Sequence, residues 1–396
     1  MTPILLAPDK FKGSLDAAGV AAALAAGIAE ADPGREVRCC PVADGGEGTV
    51  AAALAAGWTP VSVPASGPTG RCLTATYARR DGTALVELAA TSGLGVLPCG
   101  VLDPLGAGTE GLGTVIAHAL DAGATEIVVG LGGSATTDGG AGVLRGLGAR
   151  VLDADGRDLP PGGAALGAAD RLDLTGLHPR LGAARIVLAA DVDNPLTGPH
   201  GAAAVYGPQK GATPVQVELL DAALGRWAAV LAAAASRAPR TTPAALRGDA
   251  GYGAAGGAGL GLIALAGAVL RPGVGTVLEL TGFPEALRGA GLVVTGEGRL
   301  DAQTLHGKAP AGVAAAARDA GVPVVAVAGQ VALSPDEVAG AGFAAAHALT
   351  DLVDDPADAM TRTAALLRET GRRIARDETA AAAVLPGKEK TCPTRP

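Results

Sequence analysis

P-I-L-L-A-P-D-K-F-K-G-S-L-D-A-A-G-V-A-A-A-L-A-A-G-I-A-E (Pro3–Glu30) is the stretch that decides the fold class. Ile4–Ala7 is a short unbroken apolar run, which predicts a strand buried on both faces. Pro8–Ser14 predicts its loop, and Leu15–Glu30 an Ala-rich helix with Ser14 as N-cap. Arg35–Val42 then predicts a second strand, A-D-G-G-E-G (Ala43–Gly48) its loop and Thr49–Ala56 a second helix. Strand, polar loop and helix in repetition is the rhythm of a parallel sheet with ligands at the carboxyl ends of the strands. It returns late, as strand Gly291–Thr295, loop Gly296–Gln303, helix Ala309–Ala320 and strand Val322–Ala328, with a last helix at Pro356–Arg373.

The middle is less regular. Thr59–Val63, Leu73–Ala78 and Ala84–Leu88 read as short strands separated by turn signals. Thr125–Val129 and Arg185–Ala190 are strands that run into a Gly-rich and an Asp-rich loop, and Val215–Ala235 and Gly256–Leu270 read as helices. Two alternating ends around such a middle predict an α/β protein with an inserted domain, the first and last segments sharing one sheet. Residues 377–396 mix charges and Pro without periodicity and are expected to form a disordered tail.

Composition narrows the functional classes. The 396 residues are 48 % hydrophobic but only 2 % aromatic, with 61 glycines. Such an Ala-, Val- and Leu-based core suits close helix-on-sheet packing and argues against aromatic-rich nucleic-acid platforms. A net charge of −8 without a basic block argues against nucleic acid and acidic membrane as partners. Mean hydropathy is +0.34, yet no apolar run is long enough for a bilayer. The N-terminus enters a strand directly, with no basic leader, and the five cysteines form no C-x-x-C pair. A cytoplasmic location without a cysteine metal site is expected.

Six lysines occur, and four sit in short Gly- and Asp-rich motifs: Lys10 and Lys12 in A-P-D-K-F-K-G-S-L, Lys210 in G-P-Q-K-G-A, and Lys308 in Q-T-L-H-G-K-A-P. Where Arg carries nearly all other positive charge, a compact flexible ammonium points to phosphate. The loop G-L-G-G-S-A-T-T-D-G-G-A-G (Gly130–Gly142) lets backbone approach a ligand and offers the hydroxyls of Ser134, Thr136 and Thr137 beside its amides. With Asp138 inside it, the loop fits phosphate beside a divalent cation. It is not a Walker A sequence. It does contain G-x-G-x-x-A (Gly130, Gly132, Ala135), with Asp153 where a ribose-binding acid would fall, so a dinucleotide-dependent hydroxy-acid oxidoreductase is the alternative.

A-D-V-D-N-P-L-T-G (Ala190–Gly198) places Asp191 and Asp193 on one side of a strand end. Phosphoryl transfer uses such a pair, one carboxylate to orient or deprotonate the attacking hydroxyl and one to hold magnesium. P-V-A-D-G-G-E-G repeats the theme with Asp44 and Glu47, and T-G-E-G-R-L-D-A-Q-T-L-H-G-K-A-P (Thr295–Pro310) is the densest polar run. No Ser-His-Asp order or G-x-S-x-G elbow supports acyl transfer.

In order, A-P-D-K-F-K-G-S-L, P-V-A-D-G-G-E-G-T, G-G-S-A-T-T-D-G-G-A-G, D-V-D-N-P-L-T-G, G-P-Q-K-G-A and T-G-E-G-R-L-D-A-Q-T-L-H-G-K-A-P resemble the bacterial glycerate kinase type-1 family over residues 1–375. The resemblance implies a two-domain fold: a Rossmann-like domain from 1–64 and 289–376, and an inserted α/β domain from 65–288. It implies ATP- and Mg2+-dependent phosphorylation of D-glycerate, most often at the 2-hydroxyl, by a monomer or homodimer. A non-catalytic sugar-acid sensor on the same fold is a further alternative. Site expectations follow. Asp191 and Lys10 are catalytic; Gly132, Gly133, Ser134, Thr136, Lys210 and Lys308 bind ATP phosphates. Asp9, Lys12, Ser14, Asp44, Glu47, Arg299 and Asp301 bind substrate, and Asp138 and Asp193 the metal. Gly108–Thr114 departs from the family's usual T-x-Y-G-x-G-E, lacking the aromatic and the acid.

Overall fold

Thirteen strands organise the computed structural model, which describes residues 2–236 and 250–384. In chain order they are β1 (Ile4–Pro8), β2 (Val37–Cys39), β3 (Thr59–Ser66), β4 (Cys72–Arg80), β5 (Thr83–Glu87), β6 (Glu126–Gly130) and β7 (Arg150–Leu152). There follow β8 (Arg171–Asp173), β9 (Arg185–Ala189), β10 (Val269–Arg271), β11 (Leu292–Leu300), β12 (Val324–Val331) and β13 (Ala345–Ala348). The chain divides into two compact units. The first comprises the residues up to Pro41, Pro284–His306 and those from Val313 onward; the second comprises Val42–Phe283 and Gly307–Gly312.

In the first unit β13-β12-β11-β1-β2 form one sheet, parallel throughout, so both chain ends share it. Ile4, Leu5, Leu6 and Ala7 are fully buried, as an apolar central strand requires. The first helix is Ala17–Ala31, capped by Asp16, whose side chain accepts from the Gly19 amide; Ser14 is therefore not the cap. Gly27 lets this helix meet the Thr363–Val384 helix, since a Cβ there would lie 1.9 Å from the Arg368 carbonyl oxygen. Two expectations are corrected here. The run G-E-G-R-L is strand rather than loop, because β12 continues beside it and pairs Arg299 with Gln330 and Leu300 with Val331. The last helix does not stop at Arg373, so residues 377–384 are helical; 385–396 lie outside the described residues.

The second unit holds a mixed six-stranded sheet, β10-β9-β6-β5-β4-β3, and the separate antiparallel pair β7-β8. β10, β9, β6 and β5 run parallel, while β4 and β3 are antiparallel. Residues 42–64, expected with the first sheet, belong to this unit. β3 pairs with β4 along its whole length, and Val50, Ala53 and Trp58 pack on Ala78, Leu85, Val128 and Val187. The helix expected over Gly256–Leu270 is shortened to Leu260–Ala266, followed by β10. Gly256, Gly257 and Gly267 take left-handed backbone and end the helix on both sides. Because β5, β6 and β9 run parallel, Glu87, Gly130 and Ala189 reach the same sheet edge together. Ligands bind at such an edge.

Candidate active site

The edge is crowded with glycine for a steric reason. A Cβ on Gly130 would lie 2.5 Å from the Gly45 carbonyl oxygen, and one on Gly132 2.5 Å from the Gly46 Cα. The D-G-G turn (Asp44–Gly46) is thus seated directly on the loop after β6, and the Gly132 amide donates to the Gly45 carbonyl (3.2 Å). Gly45 itself has φ +84° and packs against the Ala189 carbonyl and the Gly273 Cα. Two loops distant in sequence are locked into one surface.

Most of the Gly130–Gly142 loop is internal. Only Gly133 is exposed and Gly132 half-buried; everything from Ser134 to Gly142 is buried. The Ser134 hydroxyl bonds the Thr136 hydroxyl (3.0 Å) and donates to the Ala255 carbonyl (3.2 Å). Thr136 is fully buried. Ser134 and Thr136 therefore shape the loop instead of facing a phosphate, which corrects their expected role. Gly133 is the part that can present an amide, since the Gly132 amide is already committed to the Gly45 carbonyl.

Asp138 is corrected in the same way. Its Oδ2 accepts from the Thr109 amide (2.8 Å), the Thr109 hydroxyl (2.8 Å) and the Gly142 amide (3.1 Å), and its Oδ1 from the Gly140 amide (3.1 Å). A carboxylate 1 % exposed with four donors is a loop organiser, not an open metal ligand. Lys210 is likewise buried, and its Nζ donates to the Thr136 carbonyl (2.5 Å). Burial pushes its ammonium down to about 7, against the opposing pull of the Asp138 charge.

Asp191 lies two residues beyond β9, half-buried. Its Oδ1 accepts from the Gly273 amide (2.8 Å) and its Oδ2 from the Val274 amide (3.1 Å), the first two of the Gly273–Thr281 helix. Burial raises its carboxyl to about 6; the two amides oppose the rise and the Asp44 charge adds to it. A Cβ on Gly307 would stand 3.2 Å from the Asp191 Cβ, so the backbone just before Lys308 passes beside this carboxylate. Asp191, Asp44, Lys308, Gly132 and Gly133 thus belong to one neighbourhood of the second unit, with exposed Glu47 on the same turn. Asp193 is exposed and raises the Tyr206 hydroxyl, after burial, through its charge.

The remaining expected residues lie in the first unit, on the loop after β1, at the end of the adjacent strand β11 and just beyond it. The Asp9 amide donates to the Gly296 carbonyl (2.8 Å), and the Asp9 carboxylate accepts from the Lys10 amide (2.6 Å). A Cβ on Gly298 would lie 3.4 Å from the Lys12 nitrogen, which sets Lys12 beside the strand that carries Arg299. Arg299 is exposed and pairs with Asp301 (3.4 Å). Ser14 turns elsewhere: its hydroxyl donates to the Met360 carbonyl (3.2 Å) and meets the Thr363 hydroxyl (2.5 Å). Its expected substrate contact gives way to a structural one.

Two residues went unremarked in the sequence. Glu87, at the end of β5, accepts from the Gly48 amide (3.0 Å) and the Val50 amide (3.1 Å), holding the turn that carries Asp44 and Glu47. Thr109 secures Asp138 and accepts from the Val143 amide (3.0 Å). A buried acid closing an apolar strand was the available signal for Glu87; Thr109 carried none. Thr109 sits in the divergent segment Gly108–Thr114, whose Gly111 and Gly113 would place a Cβ 1.9 Å from the Ser66 and 2.2 Å from the Val143 carbonyl oxygen. The segment serves close packing.

The dinucleotide alternative is not supported. In that fold the acidic residue ends the neighbouring parallel strand. Here Asp153 follows β7, whose partner is antiparallel β8, and its carboxylate caps a turn through the Asp155 and Arg157 amides. The donor set does fit a triphosphate with magnesium. Among the described residues no group of three or more His, Cys, Asp or Glu is placed to hold a metal. Magnesium needs only one or two carboxylates beside phosphate oxygens and water, and Asp44 can supply one. No described helix is long and apolar enough to cross a membrane.

Comparison with known proteins agrees with this geometry. The model of the glycerate kinase family matches residues 4–378. A glycerate kinase of Bacillus subtilis is 42 % identical over 375 residues, covering 94 % of this chain and 96 % of that protein. A glycerate 2-kinase of Escherichia coli is 42 % identical over 337 residues, 83 % of this chain and 85 % of that one. A crystal structure from Salmonella typhimurium LT2 assigned as glycerate kinase 2 superposes with a TM-score of 0.82 at 40 % identity, covering 97 % of this chain and all of the other. The family's pattern runs through both strand-edge loops and both units, and the chain belongs to the glycerate kinase family.

Proposed function

We propose that this protein transfers the terminal phosphoryl group of ATP to the 2-hydroxyl of D-glycerate, releasing ADP and 2-phosphoglycerate. The observation that carries this reading is the neighbourhood at the edge of the second sheet. There an open Gly132–Gly133 backbone, the Lys308 backbone and two carboxylates, Asp191 and Asp44, belong to one set of interlocked loops. Phosphoryl transfer needs little else, because positioning and charge stabilisation supply most of its catalysis.

The exposed Gly133 amide binds the phosphates, with the Gly132 backbone approaching them closely and the Lys308 ammonium neutralising them. Asp191 accepts the proton of the attacking hydroxyl. Fixed by two amides and raised to about 6, it is ionised at neutral pH yet more basic than an ordinary aspartate. Asp44 would hold magnesium, whose charge offsets that on the phosphates, and Asp193, two residues beyond Asp191, is a further exposed carboxylate for it.

Incubation with D-glycerate, ATP and magnesium tests the proposal, with ADP release followed by a coupled assay and the product identified by NMR. The 2-phospho isomer is expected. The 3-phospho isomer would overturn the regiochemistry, and glycerate binding without ADP release would make the protein a sensor.

A further inference from the structure

We propose that Lys210 is a positioning residue, one that holds the Gly132–Gly133 segment in its ligand-ready form through the Thr136 carbonyl and never touches the phosphate itself. The proposal rests on the reading of this loop as the phosphate loop. Lys210 closes the short turn Pro208–Lys210, and its side chain runs into the interior, leaving the residue 2 % exposed. The single protein acceptor within hydrogen-bond distance of its Nζ among the described residues is the Thr136 carbonyl.

The rest of the buried loop is pinned at other points. Trp227 Nε1 donates to the Gly139 carbonyl (2.8 Å), the Gly139 amide to the Gly256 carbonyl (3.0 Å), and Asp138 gathers the Gly140 and Gly142 amides. Those bonds secure residues 138–142. Nearer the open glycines the anchors are the Gly132 amide on the Gly45 carbonyl, the Leu94 amide on the Gly133 carbonyl, the Ser134 hydroxyl, within the loop and onto Ala255, the Ala135 amide on the Ser92 carbonyl, and Lys210. Lys210 therefore fixes the peptide plane that joins the open half of the loop to its pinned half. Buried ammonium groups are costly unless charge and hydrogen bonds compensate, and here Asp138 supplies the compensating charge.

Acylation of the ligand-free wild-type protein with an acetyl N-hydroxysuccinimide ester, read by mass spectrometry, tests the placement. Lys210 is expected to react at least about tenfold more slowly than exposed Lys12, with no change on adding MgATP. A Lys210 that labels like Lys12 and is protected by MgATP would be a phosphate ligand and would overturn the proposal. Lys210→Met tests the role. Faster amide exchange confined to 131–142 in the ligand-free protein is expected, together with a MgATP KM raised about tenfold and a D-glycerate KM within about twofold. Unchanged exchange, or a fall in kcat alone, would refute it. If Lys210→Met does not fold, Lys210→Gln and the wild-type labelling decide. Wild-type protein that fails to bind MgATP would sink the functional reading while leaving the labelling result valid.

Discussion

The acid limb of the pH–rate profile is the sharpest prediction, because the structure sets its position. As the proposed base, Asp191 must be ionised to take a proton, so activity is expected above its pKa and is lost as pH falls through it. Burial, reinforced by the Asp44 charge against the Gly273 and Val274 amides, puts that pKa at about 6. A group titrating there is about 90 % ionised at pH 7 and about 9 % at pH 5, so kcat/KM should fall about tenfold between them. An aspartate at its ordinary value would lose only about 6 % over the same interval. The assay is coupled ADP release with subsaturating D-glycerate and saturating magnesium. ATP complicates it, since a phosphate has its own second ionisation near about 6. Asp191→Asn removes the ambiguity. Turnover should fall at least about a hundredfold, and the residual rate should lose the limb near pH 6. A limb that persists unchanged in Asp191→Asn belongs to the nucleotide, and near-normal turnover in that variant would remove Asp191 from the chemistry.

Three further substitutions probe the scaffold. Gly132→Ala puts a methyl 2.5 Å from the Gly46 Cα, well inside contact distance between two backbones that cannot yield cheaply. It should cost about 1–3 kcal/mol in urea unfolding and raise the MgATP KM, and wild-type values would show that the loops are not locked. Glu87→Gln presents an NH2 group to one of the Gly48 and Val50 amides and should destabilise by about 1–3 kcal/mol. Its D-glycerate or MgATP KM should rise as the Asp44 turn loosens, and an unchanged melting curve would refute the clamp. Asp138→Asn should lower stability by about 2–3 kcal/mol while leaving the magnesium half-saturation within about twofold. A tenfold weaker magnesium response would restore Asp138 as a ligand.

The parallel sheets were legible in the chain because a strand buried on both faces is written locally, as in I-L-L-A (Ile4–Ala7) and I-V-V (Ile127–Val129). Asp191 was legible for a related reason: an acid just past such a strand must emerge at the ligand edge. The neighbouring elements were harder. Ser14 and Asp16 are both good caps, and only the backbone path chose Asp16. T-G-E-G-R-L looks like a loop because it is polar, yet β12 lies alongside and makes it strand.

Side-chain direction separates what the sequence held from what folding added. Sequence by itself determined the α/β class, the family pattern and the few loops where chemistry can occur, because strand burial, glycine spacing and acid placement are local properties of the chain. Whether Ser134, Thr136, Asp138 and Lys210 face a ligand or the interior was decided only by tertiary structure. Lys210 and Thr136 stand 74 residues apart in the chain, as do Asp138 and Thr109 by 29. A buried polar group takes whichever partner the packing brings within reach, and no local pattern records that distance.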